Sequence, residues 1–245
     1  MNYYVVLYDG DFYPELRYAY SGLSKFYSYG VFGTFIQVGN LSYKEGIAIN
    51  AGLLIIGLLL QLAIGNANLN LLAYPVNVIL LIAYFIMLII THIFSKKVYF
   101  FRQLSAFQVV IPSVVSVALF IVFMGLLPQF QSNVEIFGII GRLGFMQMLS
   151  AWYFVLIFAW FIFILGMVVI RRISSFRLKK DIPFILNHCG LLIALLCGIM
   201  GSADNHSLKL VHNPWQTAVY IGIWMMIAGA VCLFIFTPKR KKDEK

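Results

Sequence analysis

The sequence predicts an all-α integral membrane protein of about six transmembrane helices with both termini cytoplasmic, and three observations carry that prediction. Of the 245 residues, 62% are hydrophobic and 11% charged, against roughly 45–50% and about 25% in soluble domains. Apolar runs recur at 48–65, 73–95, 107–127, 151–170, 183–201 and 217–237, each near the roughly 20 residues that a helix needs to cross a hydrocarbon core. The basic residues fall in alternate inter-helix segments, which is the pattern that sets orientation in a membrane. Lys96, Lys97 and Arg102 follow the second run, Arg171, Arg172, Arg177, Lys179 and Lys180 the fourth, and the tail begins at Lys239. With Arg17, Lys25 and Lys44 these segments are expected inside, leaving only Arg142 and Lys209 outside. The net charge of +9 is thus accounted for by orientation, and no nucleic-acid partner is expected; membrane lipid is.

Taken in order, residues 1–47 form an aromatic-rich N-terminal segment, with Tyr3, Tyr4, Tyr8, Phe12, Tyr13 and others interrupted by Gly10, Gly22, Gly30, Gly33 and Gly39. No spanning run forms there, and tyrosines favour the membrane interface. No basic, apolar and small-residue signal pattern opens the chain, so the first helix is expected to act as its own insertion signal. Residues 48–238 form the six-helix transmembrane domain, with 48–65 its shortest run. The connecting segments are too short for a separate domain. The segment 128–150 ends in a mildly amphipathic stretch (Phe137, Ile140, Leu143, Phe145, Met148) expected along the outer surface. Residues 239–245 form a basic cytoplasmic tail. No GxGxxG, P-loop or zinc signature is present, and Cys189, Cys197 and Cys232 read as small apolar residues within spans.

The candidate chemistry lies in histidines. His188 sits inside the fifth run, where an ionisable side chain costs free energy unless it finds a partner and so marks a functional site by default. Gly190, Ala194, Cys197 and Gly201 form a small-residue stripe on the same helix, a face that another helix can approach closely. At 100° per residue His188 lies about 200° away from Gly190, so it must point elsewhere. His92, just ahead of Lys96 and Lys97, lies about 5 Å from the basic edge and His188 about 10–12 Å. Two neutral imidazoles can hold one haem iron from opposite sides, although that depth difference counts against this pair, and His92 also reads as an interfacial histidine bonded to headgroups or backbone. The connector 202–216 holds His206, His212 and Trp215, a possible outer-face ligand site or simply a polar loop with an interfacial tryptophan.

Several stretches resemble the ResB-like cytochrome c biogenesis proteins of Bacteroidetes-type bacteria. They are Leu143–Leu156, Leu165–Arg172, Asp181–Leu195 with Gly201–Asp204, and also Ala73–Asn77, Lys97–Arg102, Met124–Gln129 and Tyr220–Ala230; together they cover about residues 50–240, and Asn187-His188-Cys189-Gly190-Leu191 is the most specific element. The resemblance implies a multi-pass protein of the bacterial inner membrane. It also implies a subunit of the system II holocytochrome c synthase that relays haem b, transiently bound, across that membrane for attachment to apocytochrome c. The partner would be a CcsA/ResC-type membrane subunit, with apocytochrome c met through another chain, because the family's large periplasmic domain is reduced here to residues 202–216. His188 matches the family's transmembrane haem-ligating histidine by its neighbours; His92 has no such match. No catalytic dyad or triad is visible, so the chain would be at most one subunit of a haem lyase. The alternative is a non-catalytic assembly subunit that packs on a partner through the small-residue face. A transporter is disfavoured, since no span carries paired carboxylates or repeated broken helices.

Overall fold

The computed structural model describes residues 42–127, 129, 141–207 and 214–236. These residues contain no strand, and six of their helices are long and apolar enough to cross a membrane. The expected interfacial segment up to residue 41 and the basic tail lie outside the described residues. Helix α1 spans Tyr43–Ile64, α2 Val76–Ser95, the short α3 Tyr99–Gln103, α4 Phe107–Leu126, α5 Trp152–Ser174, α6 Leu178–Ser207 and α7 Pro214–Phe236, with 3-10 turns at Leu69–Leu72 and Phe145–Ser150.

The helix ends follow from local chemistry and correct several expected boundaries. Helix α1 starts five residues before the apolar run because Glu45 reaches back to the amide of Ser42, the returning half of a capping box. It stops at Gly65, whose positive φ of 82° suits a glycine. Helix α2 begins after Pro75, which lacks an amide hydrogen and is tolerated only where no intrahelical bond is needed. The largest extension is in α6, which begins at Leu178 and runs to Ser207, so residues expected in the connector continue the helix.

Helix α5 is the centre of the bundle: 56% of its most apolar window is buried, against 11–22% for the other five spans. Helices α1, α2, α4 and α6 all pack on it, while α7 packs chiefly on α6. Close crossings depend on missing side chains. A Cβ on Gly57 of α1 would come within 2.2 Å of the Tyr153 Cα in α5. Gly166 of α5 makes room for Tyr84 and Leu88 of α2, and the Tyr84 hydroxyl donates to the Ile162 carbonyl at 3.0 Å. Between α6 and α7 the gap is closed by Gly190 facing Gly222, where a Cβ on either would meet the other's carbonyl oxygen at 2.5–2.6 Å.

At one end of the bundle, side-chain amides hold the segments together. Gln61 is 2% exposed; it donates to Asn66 and to the Arg142 carbonyl and accepts from the Trp152 amide, and Asn66 donates to Gln147. This amide cluster satisfies backbone groups that lipid cannot satisfy. It also draws the 145–150 turn inward. Met148 is 1% exposed and Phe145 packs on Tyr153, so this end of the 128–150 segment plugs the bundle instead of lying along its surface. The remainder of that amphipathic stretch, with Phe137 and Ile140, is outside the described residues.

Tyr153 is itself 1% exposed, and its hydroxyl has no hydrogen-bond partner among the described residues. A buried hydroxyl without a partner stabilises nothing and carries a desolvation penalty. Tyr153→Phe is therefore expected to leave stability unchanged or raise it by about 1 kcal/mol, read from reversible unfolding in mixed micelles; a clear loss would mean that the hydroxyl is bonded in the native protein.

Candidate functional site

The opposite end of the bundle carries the basic segments, and the last turn of α5 joins them. Arg171 donates to the Arg102 carbonyl at 3.2 Å and to the Ser105 hydroxyl at 2.7 Å. Arg172 forms an ion pair with Asp181 of α6. Ser174 lies 3.1 Å from Nε2 of His92 in α2. Three residues at the end of one helix thus fasten three neighbouring elements.

His188 belongs to this end. On α6, Asp181, Phe184 and His188 are spaced by three and four residues and fall within about 60° of arc. Leu192 and Leu196, on the adjoining part of the helix, pack against Ile162 and Leu165 of α5. Gly190 and Ala194 lie on the far side, against Gly222 of α7. The sequence-based expectation that the small-residue stripe and His188 serve different neighbours agrees with this arrangement. The helix that fills the Gly190/Ala194 part of the stripe is the chain's own α7, so a partner subunit cannot dock there unless α7 leaves.

The half-buried His188 ring stacks on Phe184, with centroids 3.8 Å apart and planes at 19°. Its Nδ1 lies 2.8 Å from the Phe184 carbonyl oxygen. A carbonyl oxygen can only accept, so Nδ1 carries the hydrogen, and in the corresponding neutral tautomer the lone pair is at Nε2. Among the described residues that nitrogen has no hydrogen-bond partner, and it is not enclosed. A backbone-bonded Nδ1 with a free Nε2 is the arrangement by which metal-ligating histidines are held.

His92 is held in the opposite way. Ser174 donates to the Ile170 carbonyl at 2.9 Å, which commits its hydrogen, so the hydroxyl oxygen accepts from His92 Nε2. The lone pair is then on Nδ1, which is buried and has no partner. In this conformation neither His92 nitrogen is open to an incoming ligand. The histidines also differ in depth: His92 is bonded to the last residue of α5, whereas His188 lies seven residues beyond Asp181, or about 10 Å along α6. Among the described residues no hydrogen bond or ring contact joins the two rings.

Of the outer-face candidates, His206 falls in the last turn of α6, with its side chain outside the description; His212 lies outside the described residues; and Trp215 is the second residue of α7. The described residues contain no group of three or more His, Cys, Asp or Glu placed to hold a metal. Cys189, Cys197 and Cys232 are free and half-buried.

Sequence reading missed Asp181 and Phe184 as parts of the site, although their spacing from His188 places all three on one helical face. Arg171 and Arg172 are engaged by Ser105 and Asp181. No protein-family model, curated protein or solved structure matches the chain.

Proposed function

We propose that this chain is a membrane subunit of a system II cytochrome c biogenesis machinery, handling haem within the bilayer of a bacterial inner membrane. The single observation that supports this most is His188: an imidazole in an apolar span, its Nδ1 tied to a backbone carbonyl and its Nε2 without a partner among the described residues. The resemblance of the stretches quoted above to ResB-like proteins supports the family proposed, and the tautomer of His188 supports the chemistry. The group that Nε2 suits is a haem iron, which as a bound cofactor would supply the ligand field that a nitrogen donor completes. His188 would hold the group through Nε2, and Phe184 orients the ring and keeps its proton on Nδ1. Any further ligand would have to come from elsewhere, with a CcsA/ResC-type subunit the proposed source, because His92 is closed on both nitrogens. Apocytochrome c is met through another chain.

Visible spectra of the purified protein, co-expressed with such a partner and read oxidised and reduced, test this. Low-spin haem bands that disappear in His188→Ala, with the complex still assembled, are the expected result. A stable complex that takes up no haem would overturn the proposal and leave an assembly subunit that docks through a face other than the one α7 covers.

A further inference from the structure

We infer that Asp181, Arg172 and Phe184 form a positioning set that fixes the tautomer and ring plane of His188; the inference rests on the reading of His188 as a ligand. Asp181 is its base. The residue is 2% exposed, accepts the Arg177 amide at 2.7 Å and holds the Arg172 guanidinium. So held, Arg172 lies over the Phe184 ring, its central carbon 5.3 Å from the ring centroid, within the range of a cation–π contact. Phe184 in turn acts on His188 twice, through its ring at 3.8 Å and through its carbonyl at Nδ1.

The two actions depend on each other. The carbonyl bond exists only while the imidazole keeps the rotamer that brings Nδ1 over the preceding turn, and the stacked ring blocks the alternatives. Free histidine favours the Nε2–H form, so an imidazole released from this rotamer loses the lone pair on Nε2 that a ligand needs. None of the three positioning residues is assigned contact with the ligand. They place the nitrogen that makes it, and the ion pair between α5 and α6 couples the ligand's orientation to the closure of those two helices.

The test is nitrogen NMR of histidine-labelled protein in lipid nanodiscs without haem, with the His188 signals assigned by their loss in His188→Gln. The wild type is expected in the Nδ1–H form. Phe184→Leu is expected to lower the ratio of Nδ1–H to Nε2–H by about 3- to 10-fold, the strength of one aromatic stack, and Phe184→Tyr to restore it. Arg172→Gln should shift the ratio in the same direction by less. A wild-type Nε2–H ring, or a Phe184→Leu ring with unchanged tautomer in a protein of normal helix content, would overturn the inference. If Phe184→Leu does not fold, the wild-type tautomer and the Arg172→Gln ratio decide. Because haem is absent, failure of the haem reading appears separately: a protein locked as Nδ1–H that binds no added hemin keeps the positioning set and loses the ligand role.

Discussion

Replacing Gly57 with leucine is expected to destabilise the bundle by about 3 kcal/mol or more, at the upper end of overpacking effects. Even the first carbon of the new side chain would meet Tyr153 backbone atoms at 2.2 and 2.6 Å and its Cβ at 2.8 Å. Backbone inside the central helix cannot turn aside, so α1 and α5 would have to separate by about an ångström to regain van der Waals distance. The separation would also pull Gln61, one turn further along α1, away from the Trp152 amide. Gly52 of the same helix provides the comparison, since a Cβ there meets nothing within 4 Å. Gly52→Ala should be neutral or stabilising by about 0.5–1 kcal/mol through helix propensity alone. Reversible unfolding of the two variants in mixed micelles, followed by tryptophan fluorescence, checks the contrast; equal effects would mean that α1 does not cross α5 at Gly57.

The second large effect concerns the α5–α6 ion pair and is asymmetric. The Asp181 side chain is 3% exposed and that of Arg172 47%. Arg172→Ala leaves a buried carboxylate whose remaining partner among the described residues is the Arg177 amide. Removing one partner of a buried pair costs about 3–5 kcal/mol, and the surviving amide bond places this case near 3. Asp181→Ala instead leaves a half-exposed guanidinium that water can solvate, together with a lost bond at the start of α6, and should cost about 1–2 kcal/mol. The double variant should then resemble Asp181→Ala, because no buried charge remains. Unfolding midpoints of the three proteins give the order directly. If Asp181→Ala proves as damaging as Arg172→Ala, Asp181 has a further partner.

Much of the architecture was legible in the sequence because a membrane span announces itself by length and composition, and each of the six apolar runs became a helix. The errors were at the ends. The bonds that the Glu45 and Asp181 carboxylates accept from the Ser42 and Arg177 amides extend α1 and α6 beyond their apolar cores, and hydropathy does not register such bonds. The inward turn of Met148 was hidden for a related reason: amphipathic spacing does not say whether an apolar face meets lipid or the bundle. Gly57 carried no signal distinguishing it from Gly52, since close approach depends on a partner far along the chain. The small-residue stripe of α6 was visible, but that its occupant is α7 depends on Gly222 facing Gly190. His188 stood out as an ionisable group in an apolar run, whereas its tautomer required the position of the Phe184 carbonyl.

The central claim is that His188, and not His92, presents a nitrogen to haem. The most direct measurement is the reduced and oxidised visible spectrum of the haem-loaded protein with its partner, compared for wild type, His188→Ala and His92→Ala. Low-spin bands lost in His188→Ala and retained in His92→Ala are predicted. Bands that survive without His188, or that vanish without His92, would contradict the account.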